Sequence, residues 1–196
     1  MQLIEKNQSF LLYENVLSGK QNSELFTLAL NKSGVFETTN AKANSLFFRN
    51  WRKSRVIYQH DFEEFYKIIH GIILEKLKEV SETLGIDTFE MADPEIQLTA
   101  HNDGDYYKWH TDNSSKATAN RLISFVYYFH LIPKSFDGGE LILYGPGLSS
   151  YSIEPNNNRL VFFNSATKHE VQKVICPGKL FENGRFTLNG WISKKG

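Results

Sequence analysis

The spacing of hydrophobic positions changes along this chain. In "DFEEFYKIIHGIILEKLKEVSETLG", Phe62, Phe65, Ile69, Ile72, Ile73, Leu77, Val80 and Leu84 recur at helical spacing, which predicts one amphipathic helix with Asp61 as N-cap and Gly85 as stop. Past residue 90 the chain breaks into short β-type runs: "EIQLTAH", "YYKWHTD", "RLISFVYYFHLI", "GELILYG", "RLVFFNS", "HEVQKVI" and "RFTLNGWIS". Glycine, proline and asparagine punctuate them, as in "FDGGE", "YGPG" and "EPNNN". Many short strands with turn signals between them predict a sandwich, barrel or jelly roll, with the helix packed on one outer face.

Composition narrows the class of protein. With 196 residues, 41% of them hydrophobic, the chain suits one domain with a substantial core. Lys and Arg number 22 and Asp and Glu also 22, so no global charge draws it to nucleic acid or an anionic membrane. Glu5, Lys6 and Asn7 interrupt the first residues where a signal peptide needs an apolar run, and no segment offers the roughly 20 apolar residues of a membrane span. The expectation is a soluble, cytoplasmic chain. The lone cysteine, Cys176, forms no internal disulfide, in keeping with a reducing compartment.

Candidate chemistry starts at "YYKWHTDN". On a strand, residues i and i+2 share a face, so His110 and Asp112 can reach one metal ion together. Two imidazoles and one carboxylate on one face of an octahedron form the facial triad of non-haem Fe(II) oxygenases, so a second histidine is required. His60 precedes the helix, His70 lies within it, His101 suits a supporting role, and His130 ends a strand. His169 opens "HEVQKV" after "RLVFFNSATK", a strand and turn that return the chain toward His110, and is the choice for third ligand. Taken alone, an HxD pair is more often structural than metal-binding. The ordered features after it, "FDGGELILY", "NRLVFFNSATKHEV" and "GRFTLNGWI", change that balance. The last places Arg185 at the start of a strand, where its guanidinium can pair bidentately with a carboxylate.

Over residues 95 to 193 this order resembles the Fe(II)- and 2-oxoglutarate-dependent dioxygenases, and within them the prolyl 4-hydroxylase-like group. The resemblance implies a double-stranded β-helix (jelly roll) core with flanking helices, a mainly β chain with N-terminal helices (α+β). It implies one domain over 1–196, with 1–90 a helical or lid part and 91–196 the catalytic core. It also implies His110, Asp112 and His169 as ligands of Fe(II). A basic residue then binds the far carboxylate of 2-oxoglutarate. The family's usual distance from the distal histidine favours Lys179; Arg185, sixteen positions on, is preferred because it begins a strand reaching Trp191 six residues later. "CPGKLFENG" then reads as a lengthened turn. Tyr128 in "RLISFVYYFH" matches a family tyrosine that helps hold the same carboxylate, with Tyr127 pointing the opposite way. Tyr128 as a plain core aromatic is an equal alternative, and Tyr107 either lines the pocket or packs in the core.

The implied reaction is hydroxylation of an unactivated C–H bond, using O2 and releasing succinate and CO2, with ascorbate as a supporting reductant. Asp112 argues against halogenation, since halogenases replace that carboxylate by a small residue. The substrate is an amino-acid-like or small metabolite, or a prolyl residue in a protein, and a homodimer is one candidate assembly. The basic stretch "AKANSLFFRNWRKSRV", with Lys42, Arg49, Arg52, Lys53 and Arg55, reads first as a solvated segment and more sharply as an active-site rim facing a carboxylate. The competing class is a non-catalytic jelly-roll module that binds metal or ligand. A metal-dependent isomerase without cosubstrate leaves Arg185 unexplained.

Overall fold

The computed structural model describes residues 1–39, 51–145, 147 and 149–196. In chain order the elements are β1 (Gln2–Lys6), β2 (Phe10–Glu14), α1 (Gly19–Asn31), β3 (Glu37–Thr38), β4 (Arg52–Lys53), β5 (Arg55–Tyr58) and α2 (Glu63–Thr83). After them come β6 (Glu95–His101), β7 (Tyr106–His110), β8 (Arg121–Phe129), β9 (Asp137–Gly138) and β10 (Leu141–Tyr144). The last are β11 (Ser150–Ile153), β12 (Arg159–Asn164), β13 (His169–Val171), β14 (Val174–Ile175) and β15 (Arg185–Ser193). Among the described residues all paired strands run antiparallel, in a large sheet ordered β1-β2-β12-β8-β15-β6-β5-β3, a smaller one ordered β11-β10-β13-β7-β4 and a two-stranded pair β14-β9.

The large sheet has two unlike faces, and the two-residue period of its strands creates them. Ile96, Leu98 and Ala100 of β6, Phe125, Tyr127 and Phe129 of β8, and Phe186, Leu188 and Ile192 of β15 join one core cluster with Leu25 and Ala29 of α1 and Phe65, Ile69 and Ile73 of α2. Burying each such large side chain is worth about 1.5–3 kcal/mol, so this face anchors the sheet. The alternate positions, Gln97, Thr99 and His101 on β6 and Arg185, Thr187 and Asn189 on β15, turn toward the smaller sheet and line a cavity. A second cluster, including Phe10, Leu12, Tyr128, Leu141 and Phe163, packs between the sheets beside it.

The helix expected from the 62–84 periodicity is α2, packed on the outer face. Its N-cap is Phe62, with no side-chain cap bond, rather than Asp61. Asp61 sits in a preceding 3-10 turn, where its carboxylate faces Lys32 at 3.5 Å. Gly85 does stop the helix: its φ of +65° lets the Ile86 N–H donate to the Ser81 carbonyl at 2.9 Å. The helical expectation for residues 1–90 needs correction, since β1 and β2 form one edge of the large sheet and β3 and β5 the other. Phe10, Leu11, Leu12 and Tyr13 are all buried, so β2 shows no alternation that would mark it as a strand. Helix α1 starts with a capping box between Ser18 and Gln21.

Candidate metal centre

His110 ends β7 and His169 begins β13, and the strand register sets the two residues directly opposite each other. Asp112 lies beyond the strand, in the turn after it, so a shared strand face does not position it. Its backbone N–H donates to the Ser165 carbonyl at 2.9 Å, and its Oδ2 accepts from the Ser124 hydroxyl at 2.6 Å. His110 Nε2 is 3.5 Å from Asp112 Oδ1, and His169 Nε2 is 3.5 Å from Oδ2. One donor atom from each of the three lies within 4.8 Å of the others, an arrangement able to hold a metal ion.

The imidazoles are oriented for that role. His110 Nδ1 sits 2.8 Å from the Lys108 carbonyl and His169 Nδ1 2.8 Å from the Thr167 carbonyl. A carbonyl only accepts, so each Nδ1 carries a proton and each Nε2 is turned toward the carboxylate, the orientation in which an unprotonated Nε2 and the carboxylate can share one cation. Burial pushes His169 down to about 4, which keeps it neutral at pH 7 and ready to ligate. Burial alone would raise Asp112, but the contact with His110, the proximity of His169 and the Ser124 hydrogen bond together hold it well below the usual carboxylate range.

Farther into the cavity, Arg185 is 2% exposed. Its Nη1 is 3.3 Å from His101 Nδ1, across the β6–β15 pair, and its guanidinium lies over the Tyr128 ring at 5.0 Å. Arg185 Nε, Tyr128 OH and His101 Nε2 are buried without hydrogen-bond partners. Such groups cost free energy unless a ligand satisfies them, and an anionic ligand with acceptor oxygens suits Arg185 and Tyr128. Gly139 makes room for the arginine: a Cβ there would lie 2.7 Å from Arg185 Cδ. Lys179, by contrast, is exposed in a turn and faces Asp103 at 3.8 Å, and it does not line the cavity.

Other residues sort just as plainly. Tyr107 stacks on His110 with ring centroids 3.6 Å apart and lines the cavity. Tyr127 points into the main core, its hydroxyl bonded to Asn22 and Asn158. His60 is exposed beside Asp61, His70 lies in α2, and His130 packs edge-on to Phe136 away from the triad. Of the basic stretch, Lys42, Phe47, Phe48 and Arg49 lie outside the described residues. Arg52 lines the cavity, while Lys53 pairs with Asp105 at 2.9 Å. Ser124 and Ser165 were not singled out by the sequence; the available signal was a serine at an inward position of the β8 run.

A sequence model of the 2OG-Fe(II) oxygenase superfamily matches residues 96–193, the span that carries every cavity-lining residue named above except Arg52. The chain belongs to this superfamily. An uncharacterized PKHD-type hydroxylase of Synechocystis sp. is 41% identical over 193 residues, a match covering 93% of this chain. The chain spans about 62% of the length of that relative. Among solved structures, a Pseudomonas putida prolyl-4-hydroxylase superposes with a TM-score of 0.70 at 18% identity, covering 96% of this chain and 94% of its own. A Trichoplax adhaerens prolyl hydroxylase, in complex with a hypoxia inducible factor peptide fragment, gives a TM-score of 0.75 at 21% identity, covering 95% and 84%. These likenesses show the fold. Membership of the superfamily brings Fe(II) and 2-oxoglutarate as metal and cosubstrate, and the His-Asp-His donor set fits iron. No helix among the described residues is long and apolar enough to cross a membrane.

Proposed function

We propose that this oxygenase is a hydroxylase in which His110, Asp112 and His169 hold Fe(II) and Arg185, assisted by the Tyr128 hydroxyl, anchors the far carboxylate of 2-oxoglutarate. The observation that carries this reading is the convergence in one cavity of a His-Asp-His donor set and a buried arginine with an unpartnered Nε. When bound, the iron and cosubstrate supply oxidative decarboxylation to succinate and CO2, with one atom of O2 entering a substrate C–H bond. The protein's own part is orientation. His110 and His169 aim Nε2 at the metal position, Ser124 fixes Asp112, and the Arg185 guanidinium neutralises a carboxylate in a site shielded from water. The substrate is an amino-acid-like or small metabolite, or a prolyl residue. The peptide-bound Trichoplax neighbour supports the last of these. We read the two facing antiparallel sheets as a double-stranded β-helix and residues 1–196 as one domain, and the single buried cysteine supports a reducing, cytoplasmic setting.

The test is anaerobic titration of metal-free protein with Fe(II) and 2-oxoglutarate, watching for the visible charge-transfer band of the chelated 2-oxo acid. The band is expected in wild-type protein and absent in His110→Ala. A well-folded wild-type protein that never develops it overturns the cosubstrate reading and leaves a binding module.

A further inference from the structure

Among the described residues the cavity lining contains three arginines, Arg52, Arg121 and Arg185, and a single carboxylate, Asp112. Two of the three cations have partners once Fe(II) and 2-oxoglutarate are held as proposed, and the role of the third rests on that reading. Arg121 is taken up by Glu95, with Nε to Oε1 at 3.0 Å and Nη2 to Oε2 at 2.6 Å, and its guanidinium stacks on Trp191 at 3.7 Å. Arg185 faces the far carboxylate of the cosubstrate, while Asp112 and the near carboxylate balance the divalent iron. Arg52 has no ion-pair partner among the described residues and feels Asp112 only at a distance.

The placement of Arg52 is specific. Strand β4 pairs with β7 so that Arg52 lies opposite Tyr107, and its guanidinium sits over the Tyr107 ring at 4.9 Å. Its Nε donates to the Ser54 hydroxyl at 2.8 Å, fixing the plane of the group, and the ion pairs of the described residues include no carboxylate for it. Tyr107 in turn stacks on His110, so one aromatic ring separates this cation from a metal ligand. Burial lowers the affinity of Arg52 for its proton, a penalty that an anionic ligand offsets. A cavity of about 330 Å³, shared with the cosubstrate, suits a compact molecule.

We propose that Arg52 is the specificity determinant of this enzyme and binds the carboxylate of a small, amino-acid-like carboxylic acid, holding a C–H bond of that acid beside the metal. The Nη atoms offer a planar, two-pronged surface that a carboxylate matches and a neutral amide does not.

The experiment uses the anaerobic protein loaded with Fe(II) and 2-oxoglutarate. Trp191 lines the cavity, and Trp51 and Trp109 contact each other on the neighbouring β4–β7 pair. Trp191 fluorescence therefore reports ligands added to the cavity. The probes are L-amino acids, free and N-acetylated, each paired with its α-amide. The expected result is at least one acid that binds about tenfold or more tightly than its amide, as a lost charge-assisted bidentate contact implies. That preference collapses in Arg52→Gln and returns in part in Arg52→Lys. Two results overturn the assignment: no acid preferred over its amide by wild-type protein, or a preference that survives in Arg52→Gln. The wild-type comparison stands whatever the stability of the variants. Absence of the charge-transfer band in wild-type protein removes the cosubstrate reading and takes the Arg52 assignment with it; with the band present, the acid–amide comparison bears on Arg52 alone.

Discussion

Ser124 holds Asp112 from the neighbouring sheet: its hydroxyl donates to Asp112 Oδ2 at 2.6 Å and lies 2.9 Å from Ser165 Oγ. Asp112 is outside β7, so this contact and the Asp112 N–H to Ser165 carbonyl bond take the place of strand geometry. Removing such a support for a metal ligand typically costs about 10–100-fold in metal affinity. Ser124→Ala is expected to weaken Mn(II) or Fe(II) binding by that order, measured by titration of metal-free protein. Unchanged affinity would show that Ser165 alone positions the carboxylate.

Asp112→Ala removes the only carboxylate of the triad. Iron-dependent 2-oxoglutarate turnover is expected to fall to background, and purified protein to lose its bound iron by elemental analysis. Turnover retained at about a tenth of wild type or more, on the order expected for a supporting residue rather than a ligand, sinks the assignment.

The site for Arg185 is shaped as much by absence as by contact. Gly139 has φ +75°, and a methyl group there would meet Arg185 Cδ at 2.7 Å and Val174 Cγ2 at 3.0 Å. Gly139→Ala should destabilise the fold by about 1–3 kcal/mol through strain and displace the guanidinium. Arg185→Ala should raise the apparent Kd for 2-oxoglutarate by about ten- to a hundredfold, the scale of a lost charge-assisted contact. Urea denaturation separates the two effects, since Gly139→Ala should lower both stability and cosubstrate affinity. An Arg185→Ala variant with unaltered 2-oxoglutarate affinity would remove Arg185 as the cosubstrate anchor.

Stability of the metal-free protein should fall on acidification through the histidine range. Burial, reinforced by Arg185 and then Arg52, holds His101 well below its ordinary value of 6.5, and burial lowers His130 as well. Below 6.5 the unfolded chain therefore binds protons that the folded chain refuses, so stability present above that pH is lost as pH drops toward the folded values. Urea midpoints measured from neutral pH downward should decrease, and His101→Gln should flatten the slope. A flat profile in wild-type protein would contradict the buried, neutral state of these rings.

The sequence carried the parts of the site that lie on periodic strands. His169 and Arg185 stand at the first residues of β13 and β15, where turn signals and alternation mark them. Helix α2 was legible because its buried positions Phe65, Ile69, Ile73 and Val80 follow one face. The N-terminal strands were not. Phe10 to Tyr13 are buried on both sides, and "RVIY" of β5 is too short to show a period. Ser124 and Gly139 escaped for a different reason: their roles depend on residues 12 and 46 positions away, brought close only by the fold.

The direct pairing of His110 with His169 gives a bound ion a mechanical role as well as a chemical one. β13 has only three residues, and its pairing with β7 already shifts register between His169 and Val171. An ion bonded to both rings would act as a rivet through the two strands, forbidding the one-residue slip that would turn His169 away from its partner. Amide exchange along β7 and β13 should therefore slow when the ion binds, while the outer strands β1 and β2 keep their rates.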